Sequence, residues 1–195
     1  MRCLAEPIRK RKKLRVIGFD DSPFSFDVDS FVSVAGVVCS GTRFEGMLWG
    51  DIERDGLDST DVLRDLVLQS KFHEQVNLIL TDGITMAGFN MVDIVGLAES
   101  LKIPCVAVMR RLPDLPAFHL AMQKVDRQTE RKAVVAKAGE IHSLEGFHFQ
   151  VAGCTPDLAA IALKRLTDKG DVPESLRLAH LIGAAVKTGE SSKRA

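Results

Sequence analysis

Three short apolar runs crowd the first fifty residues, and each is too short and too rich in β-branched residues to be a helix. LRVIGF at 14–19 and FVSVAGVVC at 31–39 read as strands, and RFEGMLW at 43–49 alternates as a third. The Ser40-Gly41 turn signal joins the second to the third as a hairpin. Asp58, Ser59 and Thr60 are N-cap residues for a helix through Val62, Leu63, Leu66 and Val67. VNLIL at 76–80 is then a buried strand that stops at Thr81-Asp82-Gly83.

Beyond this point the pattern becomes strand, helix, strand. A helix over roughly 90–101 leads through Pro104 to the strand CVAVM, and another helix follows Asp114. FHFQV at 147–151 is a further strand, Thr155-Pro156 opens a helix, and Pro173 at N1 starts a last one over Glu174 to Lys187. Alternation of this kind implies parallel crossovers. Antiparallel strands 1–3 followed by parallel strands predict an α/β, ribonuclease H-like mixed sheet flanked by helices.

At 195 residues the chain suits one domain of ~150 residues with decorations. The expected division is a basic segment over 1–13, one domain over 14–190 and a tail over 191–195. An apolar fraction of 46% against 27% charged residues excludes a disordered chain. No apolar run approaches the ~18 residues of a membrane-spanning helix, and the four cysteines form no CxxC pair. A cytoplasmic protein with reduced thiols is expected. G-x-G-x-x-G, the P-loop and G-x-S-x-G are all missing, which argues against dinucleotide, P-loop and serine-hydrolase chemistry.

Charge is balanced overall but not along the chain. RKRKKLR at 9–15 holds six of the 26 cations and no acid, leaving 20 cations against 26 acids elsewhere. The run, Lys12 and Lys13 included, is either a solvated tail or a phosphate-steering patch. Asp20 and Asp21 close the first strand, Asp58 opens the first helix and Asp82 closes the fourth strand. If the first and fourth strands lie parallel and adjacent, their terminal acids converge. Converging carboxylates suit Mg²⁺ or Mn²⁺, which takes oxygen ligands and supports phosphodiester hydrolysis; strand-end acids also serve as helix caps and turn formers. Arg110 and Arg111, after the fifth strand, could hold a phosphate or form a surface pair. Arg177 and His180 share a helix face three residues apart, and His180 could reach a metal-bound water or simply be packed. Phe24, Phe26 and Phe31 near the acid pair are core aromatics or a stacking surface for a base. His73, His119, His142 and His148 show no ligand spacing.

GFDDSPF at 18–24, DGLDSTD at 55–61, LTDGITMAGFNMVDI at 80–94, VMRRLPD at 108–114 and VPESLRLAHLIGAAVKTGES at 172–191 together carry a resemblance. The chain resembles an archaeal family called endonuclease dU, itself similar to endonuclease V, from about residue 14 onward. The resemblance implies a metal-dependent endonuclease, with Mg²⁺ (or Mn²⁺) as cofactor, acting on nucleic acid near a deaminated base such as uracil or hypoxanthine, in DNA repair. It implies Asp20 and Asp82 as metal ligands and catalytic residues, Asp58 in the place of a glutamate before the first long helix, and His180 as the residue that completes the site. Endonuclease V has an RE-G-P run before that helix where this chain has DGLDSTD, so Asp61 competes with Asp58 as third ligand. Arg110 or Arg111 stands in the place of a lysine, and with Lys12, Lys13 and Arg177 forms the expected nucleic-acid contacts. The strand-separating wedge of endonuclease V contains tyrosine, and this chain has none. The expected partner is DNA ahead of RNA, without a membrane and with a homodimer left open. A catalytically silent nucleic-acid-binding module on the same fold is the competing function.

Overall fold

The computed structural model describes residues 1–192. Helix α1 (Ala5–Arg9) precedes strand β1 (Arg15–Asp21), and β2 (Phe31–Ser40) and β3 (Arg43–Glu53) follow as a hairpin. Helix α2 (Ser59–Leu68) leads to β4 (Leu78–Asp82), and a small ribbon of β5 (Thr85–Met86) and β6 (Asn90–Met91) precedes α3 (Ile94–Leu101) and β7 (Cys105–Met109). The chain continues through α4 (Leu115–Met122), α5 (Gln128–Ala138), a hairpin of β8 (His142–Leu144) and β9 (Phe147–Ala152), α6 (Pro156–Leu166) and α7 (Glu174–Thr188).

Seven strands form one sheet in the order β3-β2-β1-β4-β7-β9-β8. The first three pair antiparallel, while β1–β4 and β4–β7 pair parallel, which is the ribonuclease H-like core expected from the sequence. The strand at 147–152 departs from the expected parallel series. It pairs antiparallel to β7, because the chain crosses through α4 and α5 and re-enters the sheet as the β8–β9 hairpin.

Two local differences have simple causes. The helix expected from residue 90 begins at Ile94, since Asn90 and Met91 pair with Met86 and Thr85 and the Asp93 carboxylate caps the helix by accepting the Gly96 N–H at 2.8 Å. Pro173 stands at the N-cap of α7 rather than at its first helical position. The basic N-terminal segment is anchored, with Leu4 and Ile8 of the α1 region buried beside Leu163 and Leu166 of α6. Residues 193–195 of the expected tail lie outside the described residues, and among those described no helix is long and apolar enough to cross a membrane.

The sheet separates two apolar layers. Ile17, Phe19 and Ile79 pack with Leu63 and Leu97 on one side, while Val16, Leu78 and Leu80 pack with Leu163, Leu176 and Ala179 on the other. Strand side chains alternate between faces, so Gly18 and Asp20 point toward α7 and Asp21 toward α2 and α3. Gly18 lets α7 approach β1 closely: a Cβ there would meet Ser175 Oγ at 2.6 Å and the Leu176 backbone nitrogen at 2.8 Å. Gly18→Ala must push α7 off the sheet and is expected to cost about 1–3 kcal/mol, measured by urea unfolding. An unchanged midpoint would contradict this close seating.

Candidate active site

The register of β1 and β4 sets the site. Phe19 pairs with Thr81 in a parallel ladder, so the next residue of each strand, Asp20 and Asp82, stands at the same level of the sheet. Alternation points both toward α7, Asp20 with Val16 and Gly18, Asp82 with Leu78 and Leu80. From α7, seated against β1, His180 reaches down so that its Nδ1 lies 3.0 Å from Asp20 Oδ2. Arg110, just past β7, places Nη2 3.3 Å from Asp82 Oδ2. These four side chains border an open cavity of about 560 Å³, with Phe24 and Phe26 on its rim. Asp21 also borders it, but its Oδ2 accepts the Ala87 N–H at 2.9 Å on the opposite face.

The acids are held at an energetic cost. Burial first, then repulsion from Asp20, raises Asp82 to about 6, although Arg110 and His180 pull the other way. Burial also raises Asp21 to about 6 despite the Ala87 hydrogen bond, with the charges of Asp20 and Asp82 adding to the rise. His180 is raised above its ordinary value chiefly by its hydrogen bond to Asp20. The imidazole therefore favours a proton on Nδ1, shared with that carboxylate.

Several residues expected at the site lie elsewhere. Asp58 is absent from the cavity; its carboxylate accepts the Glu53 N–H at 3.2 Å and the Asn90 side-chain amide at 2.5 Å, tying the β3–α2 loop to β6. It sits at the N-cap of α2 without capping it. Asp61 is largely exposed and pairs with Arg64. Neither is therefore positioned as a third ligand with Asp20 and Asp82. Arg111 is exposed and outside the cavity. Arg177 lies on α7 one turn before His180, but its guanidinium is engaged by Glu174 at 2.6 and 2.8 Å. Lys12 and Lys13 line a different cavity, at the start of β1.

Asp20 and Asp82 offer hard oxygen donors, and the repulsion between them is what a cation would remove. Among the described residues no three His, Cys, Asp or Glu side chains form a ready-made metal cage. The pair fits Mg²⁺, which keeps several waters and binds through one or two carboxylates plus substrate phosphate, and does not fit a closed zinc or calcium cage.

Residues 12–187 match the protein family described as Endonuclease dU. The chain belongs to the endonuclease dU family. It is similar to a UPF0215 protein of Archaeoglobus fulgidus, 44% identical over 94% of this chain and 99% of that protein. A UPF0215 protein of Methanopyrus kandleri is 38% identical over 95% of this chain and 97% of its own. Among solved structures, a protein of unknown function from Archaeoglobus fulgidus superposes with a TM-score of 0.84 at 42% identity, covering 89% of this chain and 98% of that one. The catalytic domain of human Endonuclease V gives a TM-score of 0.60 at 14% identity, covering 92% and 84%. Ciona intestinalis Endonuclease V, in complex with DNA containing an inosine, gives 0.57 at 16%, covering 87% and 84%. At these identities the likeness to Endonuclease V is one of fold.

In this endonuclease dU chain the sequence reading passed over one site residue. Ser22, two residues beyond Asp20 on the same face, borders the cavity with a buried hydroxyl that has no hydrogen-bond partner among the described residues. Strand parity alone would have selected it.

Asp82 has a folded-state value near 6 against 3.8 for the free group. The folded protein therefore binds this proton more tightly, and the stability it contributes is full below 3.8 and lost as pH rises through 6. Asp82→Asn is expected to stabilise the metal-free protein by about 1–3 kcal/mol at alkaline pH, after loss of the Arg110 contact, with the gain vanishing in acid. Urea unfolding across that pH range measures it. Destabilisation at alkaline pH, or a gain independent of pH, would contradict the strained acid pair.

Proposed function

We propose that this chain is a divalent-cation-dependent endonuclease that hydrolyses a phosphodiester bond beside a deaminated base, uracil or hypoxanthine, in DNA ahead of RNA, with a role in repair. The observation that carries the reading is the convergence of Asp20, Asp82, His180 and Arg110 around one open cavity. Mg²⁺ or Mn²⁺ bound by Asp20 and Asp82 would lower the pKa of an attacking water and neutralise charge on the scissile phosphate. Arg110 leaves Asp82 to clamp a phosphate oxygen, a role its planar fork suits. His180, oriented through Nδ1 by Asp20, moves a proton at its other ring nitrogen, to the leaving oxygen or from water. The Ser22 hydroxyl hydrogen-bonds a phosphate oxygen or an ordered water.

The base has two candidate contacts. Phe26 is 64% exposed at the cavity rim, and a nearby apolar cavity of about 150 Å³ is lined by Gly83, Ile84, Met109 and Phe118 with the amide of Gln150. An extruded base would stack on the first or enter the second.

A second reading, a nucleic-acid-binding module that does not cut, draws support from one observation: the acids expected to supply a third ligand, Asp58 and Asp61, are engaged away from the cavity. One experiment separates the two. Labelled oligonucleotides carrying uracil, hypoxanthine or no lesion are incubated with Mg²⁺, Mn²⁺ or chelator. The expected result is lesion-selective, metal-dependent cleavage that Asp20→Ala reduces by about a hundredfold or more. Binding without cleavage by the wild type would favour the second reading.

A further inference from the structure

The basic run does not flank the acids. β1 spans Arg15 to Asp21, and at ~3.3 Å per residue its two ends lie roughly 20 Å apart. Asp20 and Asp21 occupy one end, and the run Arg11-Lys12-Lys13 occupies the other.

At that far end lies a cavity of about 600 Å³ bordered by Arg11, Lys12, Lys13, Arg43 and Arg165, without a carboxylate among its lining residues. The cations come from separate parts of the fold, and tertiary contacts hold them together. Beyond Lys10, the C-cap of α1, Arg11 takes a left-handed φ of +52°, the Arg11 N–H donating to Ile8 O at 3.1 Å and the Lys12 N–H to Pro7 O at 2.9 Å. This is a Schellman-type cap that fixes the direction of the run. Buried Leu4, Ile8 and Leu14 pin both its sides. The Arg165 guanidinium donates to Ile8 O at 2.8 Å, and the Gly41 N–H of the β2–β3 turn donates to Leu14 O at 2.8 Å. Arg43 pairs with Glu45, whereas the structure gives Arg11, Lys12 and Lys13 no acidic partner among the described residues.

Like charges so fixed repel one another, and an anion relieves that repulsion without the ordering cost a flexible tail would incur. We infer that this cavity is a second phosphate-binding site, and that its ligand is the backbone of the same nucleic-acid strand or duplex engaged at the acid edge. The inference rests on the nuclease reading and adds a length to it. With ~3.4 Å per nucleotide along a duplex strand, a backbone reaching both ends of β1 extends roughly six or more nucleotides from the scissile bond. The fixed separation makes recognition a two-point contact, acid edge and basic cavity, rather than diffuse attraction.

The test measures binding with Mg²⁺ present on fluorescently labelled lesion-free duplexes, which the nuclease reading leaves uncut, of roughly 4 base pairs (a stem closed by a hairpin loop) and roughly 24 base pairs, chosen to fall short of and to exceed the two-point span. Wild type is compared with Lys12→Ala/Lys13→Ala, both exposed positions at which folding is checked by thermal unfolding. The expected result is a loss of about tenfold or more on the long duplex at low salt, little change on the short one, and a log–log salt slope smaller by about 2. Equal binding of the long duplex by both proteins would overturn the second site while leaving the nuclease reading intact. A wild type that binds neither duplex at low salt would overturn both. Tighter Lys12- and Lys13-dependent binding of a free nucleoside triphosphate than of the long duplex would assign the cavity to a small ligand and overturn the proposal.

Discussion

The structure depends on the in-register parallel pairing of β1 with β4. One hydrogen-bonded ladder, Val16 to Leu78 through Phe19 to Thr81, buries the centre of the sheet and leaves the next residue of each strand, Asp20 and Asp82, side by side. A slip of one residue would turn one carboxylate to the opposite face. The fold therefore creates the acid pair as a consequence of making its core. Helix α7 uses the same constraint: Gly18 admits it against β1, and that seating brings His180 to Asp20.

The same pairing sets folding against chemistry. Asp82 and Asp21, each raised to about 6 chiefly by burial with the charge of Asp20 adding to the rise, are a liability in a metal-free protein, and a cation held by Asp20 and Asp82 would relieve it. The surroundings limit the cost: Ala87 donates to Asp21, Arg110 partly neutralises Asp82, and His180 shares a proton with Asp20. The Ala87 donor is itself positioned by a buried cation. Arg131 is 1% exposed, and its guanidinium donates to the carbonyl oxygens of Asp55, Gly56 and Phe89. These bonds join the β3–α2 loop to the β5–β6 turn that carries Ala87.

Much of this was legible in the sequence because it is local. The apolar runs of β1, β2, β4 and β7, the Ser40-Gly41 turn and the Thr155-Pro156 helix start are written in contiguous residues, and the acids at strand ends follow from them. Contacts between distant segments were not legible. The position of Asp58 before a helix suggested a metal ligand, but its carboxylate is claimed by Asn90, a partner 32 residues away. Nor does a run of cations reveal which end of a strand it will occupy, and Lys12 and Lys13 fell at the opposite end of β1 from the acids. The reversed direction of β9 depends on a hairpin with β8, whose three residues carry too weak a pattern to be read alone.

The most direct test of the acid edge as a metal site is a crystal structure of the wild-type protein grown with saturating Mn²⁺, read by anomalous scattering. One strong peak is expected within about 2.2 Å of oxygens of both Asp20 and Asp82, with most remaining ligands being water. A peak at Asp58 or Asp61 instead, or no peak between Asp20 and Asp82, would contradict a metal site at the acid edge.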